Sequence, residues 1–204
     1  MLFIGITGGV GAGKSRILDY IRENYPCEIY LADQVAHRVK RQGTKAYEEL
    51  VCLLGPEAVG RDGEIDKGVM AEKIFAEPSL LKRVNDIVHP AVKEFLLERL
   101  ALARRPGGPA FFFVEAALLI EGGYLALVDE MWYIYANEEV RRARLAVSRG
   151  YSWERIQGIM SSQLTEEQFR ENCSFVIDNS GDFESSCRQV DERLAGVIVQ
   201  NDID

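Results

Sequence analysis

The segment GITGGVGAGKSR, Gly5 to Arg16, constrains the fold more than any other part of the chain. Gly8 to Ser15 has the spacing G-x-x-x-x-G-K-[ST]. It lies between the apolar run Leu2 to Ile6 and a segment, Ser15 to Tyr25, that carries Ile17, Leu18 and Ile21 on one helical face. Strand, glycine loop and helix therefore follow in order. Glycines let such a loop turn where a Cβ would forbid it and approach a ligand closely, so that backbone N–H groups and the positive end of the next helix cradle a polyphosphate. Gly9, Gly11, Ala12, Gly13, Lys14, Ser15 and Arg16 form the expected nucleotide-binding stretch. Lys14 reaches the β- and γ-phosphates and Ser15 holds Mg²⁺ in this reading.

Pro26 stops the first helix, and CEIYLA, Cys27 to Ala32, gives a second strand that ends at Asp33. From Gln34 to about Arg105 the pattern is helical, with apolar positions at Leu50, Val51 and Leu54 and further runs at Met70–Phe75, Leu80–Val88 and Val92–Leu102. The PGGP at Pro106 to Pro109 closes this block. AFFFV (Ala110 to Val114) and MWYIYA (Met131 to Ala136) are continuous apolar runs of the kind found in strands buried on both faces, and SFVID is a last short strand ending near Asp178. Phe183 to Val199, with Val190, Leu194, Val197 and Ile198, predicts a closing amphipathic helix. The expected fold class is α/β: a parallel sheet flanked by helices, binding ligands outside the carboxyl ends of its strands. The 204 residues suit a single domain with a helical insertion at about 33–105.

Hydrophobic residues at 47% and charged residues at 27% are ordinary for a globular chain, and the net charge of -8 gives no footprint for nucleic acid. Cys27, Cys52, Cys173 and Cys187 are dispersed without metal-ligand spacing, which fits reduced thiols in a cytoplasm. MLFIGI is too short for a signal peptide, and AFFFVEAALLI is interrupted by Glu115, so no membrane association is expected.

Asp33 and Glu115 follow the second and third strands. A carboxylate there can deprotonate an attacking hydroxyl or help hold Mg²⁺, directly or through water; alternatively, Asp33 is a helix N-cap and Glu115 a solvated loop carboxylate. Asn137 to Tyr151, NEEVRRARLAVSRGY, concentrates Arg141, Arg142, Arg144 and Arg149. These read either as a mobile flap closing over a phosphoryl group or as a solvated face paired with Glu138 and Glu139. His37 and His89 accompany no Ser or Cys nucleophile motif. IDNSG, Ile177 to Gly181, comes too late to be a guanine-nucleotide motif and no N-K-x-D follows it.

With these pieces assembled, the sequence resembles the dephospho-CoA kinases, P-loop kinases that phosphorylate the ribose 3′-hydroxyl of dephospho-coenzyme A with ATP in the last step of coenzyme A biosynthesis. The resemblance rests on TGGVGAGKS, Ala32-Asp33, QGTKAYEELV, DGEID, KIFAEP, NDIVHP, ALLIE, Arg144 with Arg149, Gln163 and IDNSG. It implies a P-loop NTPase-type core, a coenzyme A-binding insertion at 33–105 and a lid at 137–151. It also implies ATP and Mg²⁺ as cofactors and a small-molecule acceptor, and leaves oligomeric state open. Asp33, Lys14 and Arg144 are the implied catalytic residues. Arg149 and Asn179 join the loop in binding ATP, and Asp33, Arg38 and His89 lie on the acceptor side. Ser15 holds the metal, with Glu115 acting through water. Leu31, His37, Glu115, Ala117, Phe169 and Ser174 depart from the residues common in that family, and Arg16 stands where Thr is usual. Two other functions compete: a related kinase for a nucleoside monophosphate or small alcohol, and a non-catalytic nucleotide-sensing module.

Overall fold

The sheet is built around β1 (Leu2–Thr7), flanked by β3 (Phe111–Glu115) and β4 (Glu130–Tyr135); β5 (Phe175–Asp178) lies beyond β4, and β2 (Cys27–Leu31) lies beside β3 at the other edge. The computed structural model describes residues 1–201, with side chains described through residue 196. Strand pairing is parallel, with Ile6 opposite Glu115 on one side of β1 and opposite Trp132 on the other. Consecutive residues Phe111 to Val114 are all inaccessible to solvent, so both sheet faces are covered by helices. Edge-to-face contacts of Phe3 with Phe112, Phe113 with Trp132, and Trp132 with Phe175 carry the core across neighbouring strands.

The chain leaves β1 toward β2 and leaves β4 toward β5, in opposite directions along the sheet. The crevice between the loops after β1 and β4 is thus the topological switch point, where ligands bind in open α/β sheets. The order of strands places the glycine loop and the segment after β4 on either side of it.

α1 (Lys14–Asn24) buries Ile17, Leu18 and Ile21 and ends at the extended Tyr25, ahead of Pro26. α9 (Phe183–Asn201) buries Val190 and Leu194 and packs along α1; the side chains of Val197 and Ile198 lie outside the described residues. Asp191 of α9 accepts hydrogen bonds from Tyr20 Oη at 2.7 and 2.8 Å and from Tyr25 Oη at 2.6 Å. These bonds hold both phenols protonated: the bond to Asp191 pushes Tyr20 up to about 12, and burial followed by the same bond raises Tyr25.

Two compact units divide the chain: residues 1–29 with 103–204, and residues 30–102. The second is helical, with α2 (Ala32–Val39), α3 (Lys45–Leu54), a 3-10 turn at Pro56–Ala58, α4 (Lys67–Ala76) and most of α5 (Ser79–Ala103). Its own core explains its independence: Leu80, Val84, Val88, Val92, Leu96 and Leu100 form a buried stripe every four residues along α5. The two apolar runs read from the sequence on either side of Pro90 are one helix. Burial along this stripe outweighs the cost of about 3 kcal/mol that an interior proline imposes. DGEID folds as a turn closed by the antiparallel bridge between Val59 and Ile65, and its last residue, Asp66, caps α4.

Asp191→Ala removes the shared acceptor of two phenols. Urea denaturation is expected to show a loss of roughly 2 kcal/mol, the scale for lost hydrogen bonds to a charged group. An unchanged midpoint contradicts the assignment.

Candidate functional site

The glycine loop is shaped from outside. Gly13 is the N-cap of α1 in the left-handed region (φ 93°), with no side-chain cap, so no capping side chain stands between the first turn and an anion. A Cβ at Gly13 would collide with the Asn179 amide, and one at Gly8 with the Ile134 carbonyl. Asn179 is buried: its Nδ2 donates to Ala12 O at 2.7 Å while its Oδ1 accepts from Ser186 Oγ at 2.9 Å. Arg144 donates to the same Ala12 carbonyl at 3.3 Å and to Asn179 O at 2.8 Å. One loop carbonyl therefore ties α6 (Glu138–Arg149) and the end of β5 to the loop.

A second clamp lies beside it. Arg141 Nε donates to Val10 O at 2.9 Å, and Gln163 Oε1 accepts from both Val10 N (3.1 Å) and Arg141 Nη2 (2.7 Å). Burial lowers the affinity of Arg141 for its proton, and burial with the neighbouring charge of Arg16 does the same for Arg144; both stay cationic at neutral pH. Lys14 Nζ donates to Gly8 O at 2.8 Å and stands 3.5 Å from Glu115 Oε1. Strand register explains the pair: Glu115 ends β3 opposite Ile6, one residue before β1 releases the loop. Thr7 Oγ1 donates to Ala117 O at 3.3 Å at the same edge.

The four arginines divide between the two readings of their cluster. Arg141 and Arg144 reach the loop, whereas Arg142 makes the i,i+4 ion pair with Glu138 and lies 3.9 Å over the ring of Trp153 in α7 (Trp153–Ser161). Arg149 lies 5.8 Å from the Tyr151 ring. Asn137 caps α6 by accepting from Val140 N at 2.9 Å. Ser15 is exposed, and the exposed Arg16 stacks 3.8 Å over the Phe183 ring. Phe169 is buried and stacks on Tyr133 at 4.6 Å; a charged side chain there would be buried. Glu115 is no free loop carboxylate, since Lys14 is its neighbour.

In the helical unit, Asp33 is exposed in the first turn of α2, and the N-cap is Leu31, so the reading of Asp33 as cap fails. Strand β2 runs to Leu31, and the helix starts directly at Ala32, two residues too early for Asp33 to cap it. Arg38 lies 5.4 Å from the Phe95 ring, with Arg99 5.0 Å from the same ring. His89 is exposed in α5. His37 is held below its ordinary 6.5 by desolvation, then by the charges of Lys67 and Lys40, against an opposing pull from Asp33.

The chain matches the family model described as dephospho-CoA kinase over residues 2–185. A dephospho-CoA kinase of Geobacter metallireducens is 37% identical over 190 residues, 93% of this chain and 94% of the relative. The crystal structure of TT1252 from Thermus thermophilus superposes with a TM-score of 0.76 at 32% identity, covering 96% of this chain and 97% of that one. A dephospho-CoA kinase from Campylobacter jejuni gives a TM-score of 0.72 at 20% identity over 98% of each chain, which speaks to the fold.

Because the folded His37 is lowered, the unfolded chain holds the extra proton in the window below 6.5; the stability contributed by neutral His37 is present above that window and lost as pH falls through it. Lys67→Gln is expected to raise the His37 pKa in an NMR titration and narrow that window. An unmoved titration would show that Lys67 does not act on His37.

Proposed function

We propose, on the premise that this chain belongs to the dephospho-CoA kinase family, that it transfers the γ-phosphoryl group of ATP to the ribose 3′-hydroxyl of dephospho-CoA, giving CoA and ADP. The observation that carries the reading is an intact phosphate loop, braced by α6 and β5, in a chain that matches the family model over residues 2–185.

The proposed roles follow from position and charge. The donors of the first turn of α1 take the phosphates, and Lys14 turns from Gly8 O and Glu115 toward the β- and γ-phosphates. Ser15, through its exposed hydroxyl, would hold Mg²⁺, with Glu115 acting through water, and the ion would supply neutralisation of phosphate charge. Asp33, exposed in the turn after β2, accepts the proton of the 3′-hydroxyl as its oxygen attacks the γ-phosphorus. The new O–P bond forms as the bond to the β-phosphate oxygen breaks, and ADP leaves. Arg144 and Arg149 spread the developing charge, with 137–151 as the lid. Residues 33–105 take the acceptor, with His89 and Arg38 on that side. Among the described residues, no helix is long and apolar enough to cross a membrane, and we place the reaction in the cytoplasm.

ADP release from Mg-ATP, with dephospho-CoA, adenosine, AMP, CMP and shikimate offered separately and products weighed by mass spectrometry, tests the reading. Turnover is expected with dephospho-CoA, giving a product heavier by one phosphoryl group; turnover only with another acceptor overturns it. Asp33→Asn is expected to lower kcat by about 10²- to 10⁴-fold with KM for ATP nearly unchanged. Wild-type turnover in that variant removes Asp33 from the mechanism.

A further inference from the structure

Within the helical unit, a cavity of about 460 Å³ is lined by His37, Lys40, Arg41, Glu64, Ile65, Lys67 and Met70. Three permanent cations face one carboxylate, in a chain whose net charge is -8. Glu64 Oε2 already accepts from Gln42 N at 3.2 Å. Ion pairs in this unit join Lys45 to Glu49, Lys73 to Glu57 and Lys82 to Asp86, and among the described residues none of these uses Lys40, Arg41 or Lys67. Like charges held together without counter-charge work against folding, and such arrangements gather where a ligand supplies the opposite charge. Their mutual repulsion is felt: Lys67 lowers both Lys40 and His37, after the larger effect of burial on each.

The cluster stands in register with Asp33. His37 follows Asp33 by four residues on the same face of α2, and Lys40, the C-cap, and Arg41 continue the chain just past the end of that helix at Val39. At 1.5 Å per residue His37 lies about 6 Å along the helix from Asp33, and the chain carrying Lys40 and Arg41 leaves from the helix's far end. Arg38 turns away to Phe95 and is not part of the cluster.

We propose that this cavity is the subsite for the acceptor's diphosphate, with Lys40, Arg41 and Lys67 as its charged contacts and His37 as a further hydrogen-bonding group. The inference rests on the reading of Asp33 as the base for the 3′-hydroxyl. The same ribose carries the reacting hydroxyl and, on its 5′ carbon, the diphosphate, so a nucleotide presenting one to Asp33 sends the other along α2. Three cations at separate points suit two linked phosphates better than one. Ile65 and Met70 supply an apolar border where the substituent beyond the diphosphate continues.

Isothermal titration of the full chain and of Lys67→Gln and Lys40→Gln, with dephospho-CoA, adenosine and ATP as separate ligands, tests the subsite without requiring turnover. Lys67 is exposed at the start of α4, and circular dichroism verifies that each variant folds. Each substitution is expected to weaken dephospho-CoA about tenfold while leaving adenosine and ATP within about twofold. Dephospho-CoA affinity unchanged in both variants overturns the proposal, as does an equal loss for adenosine. Weakened ATP with unchanged dephospho-CoA assigns the cluster to the other nucleotide and also overturns it. A wild-type chain that binds dephospho-CoA in this pattern but transfers no phosphoryl group fails the proposed reaction and leaves the subsite standing. A wild-type chain that does not bind it overturns both.

Discussion

The Ala12 carbonyl is the point on which the nucleotide end of this molecule depends. A glycine-rich loop holds a phosphate only if its conformation is settled before the ligand arrives, because glycine loses more conformational freedom on ordering than any other residue. Here the ordering comes from donors outside the loop. Asn179 Nδ2 and Arg144 Nη1 both bond Ala12 O, and Arg141 bonds Val10 O. The two arginine bonds are charge-assisted, which places them among the stronger ones available. The loop carbonyls are thereby satisfied from the α6 and β5 side, and at Gly13 no capping side chain stands between the first turn of α1 and an anion. Asn179 is therefore a positioning residue for the loop as well as a neighbour of the proposed ATP site.

Charge is deployed differently in the two units. Around the phosphate loop the cations have acceptors: Lys14 has Gly8 O and Glu115, Arg141 has Val10 O and Gln163, and Arg144 has two carbonyls. These groups are half-committed and can exchange protein acceptors for phosphate oxygens at small net cost. In the helical unit, Lys40, Arg41 and Lys67 share a cavity with the single carboxylate of Glu64. Such a cluster gains more from an incoming anion because, among the described residues, it gives up no ion pair.

Much of the fold was legible because its strands are covered on both faces: Phe111 to Val114 could only be read as an interior strand. Strand order and helix count in the insertion were not, since local propensity says nothing of the stripe from Leu80 to Leu100 that carries α5 through Pro90. At the site, the glycine spacing located Lys14 and Ser15, and the apolar run ending at Glu115 located their neighbour. The clamps were hidden. Gln163 meets Val10 across 153 residues and Asn179 meets Ala12 across 167, and no periodicity records such a contact. Gln163 was visible only as part of a family resemblance, with no hint of which atoms it joins. The arginine cluster showed its charge but not its division, because adjacent residues point about 100° apart around a helix, so Arg141 faces the loop while Arg142 faces Trp153. Asp33 read equally well as a cap because Asp favours that position; only the end of β2 at Leu31 decides where α2 begins.

The central claim is that Asn179 and the α6 arginines hold the phosphate loop in its binding conformation before nucleotide is present. Amide hydrogen exchange across residues 8–15 in nucleotide-free Asn179→Ala, combined with its ATP dissociation constant, tests this most directly. Faster exchange in the loop and an affinity for ATP weaker by about tenfold are expected, with the rest of the sheet unchanged in its protection. Loop exchange and ATP affinity both equal to the wild type would contradict the claim and leave the loop shaped by its own sequence alone.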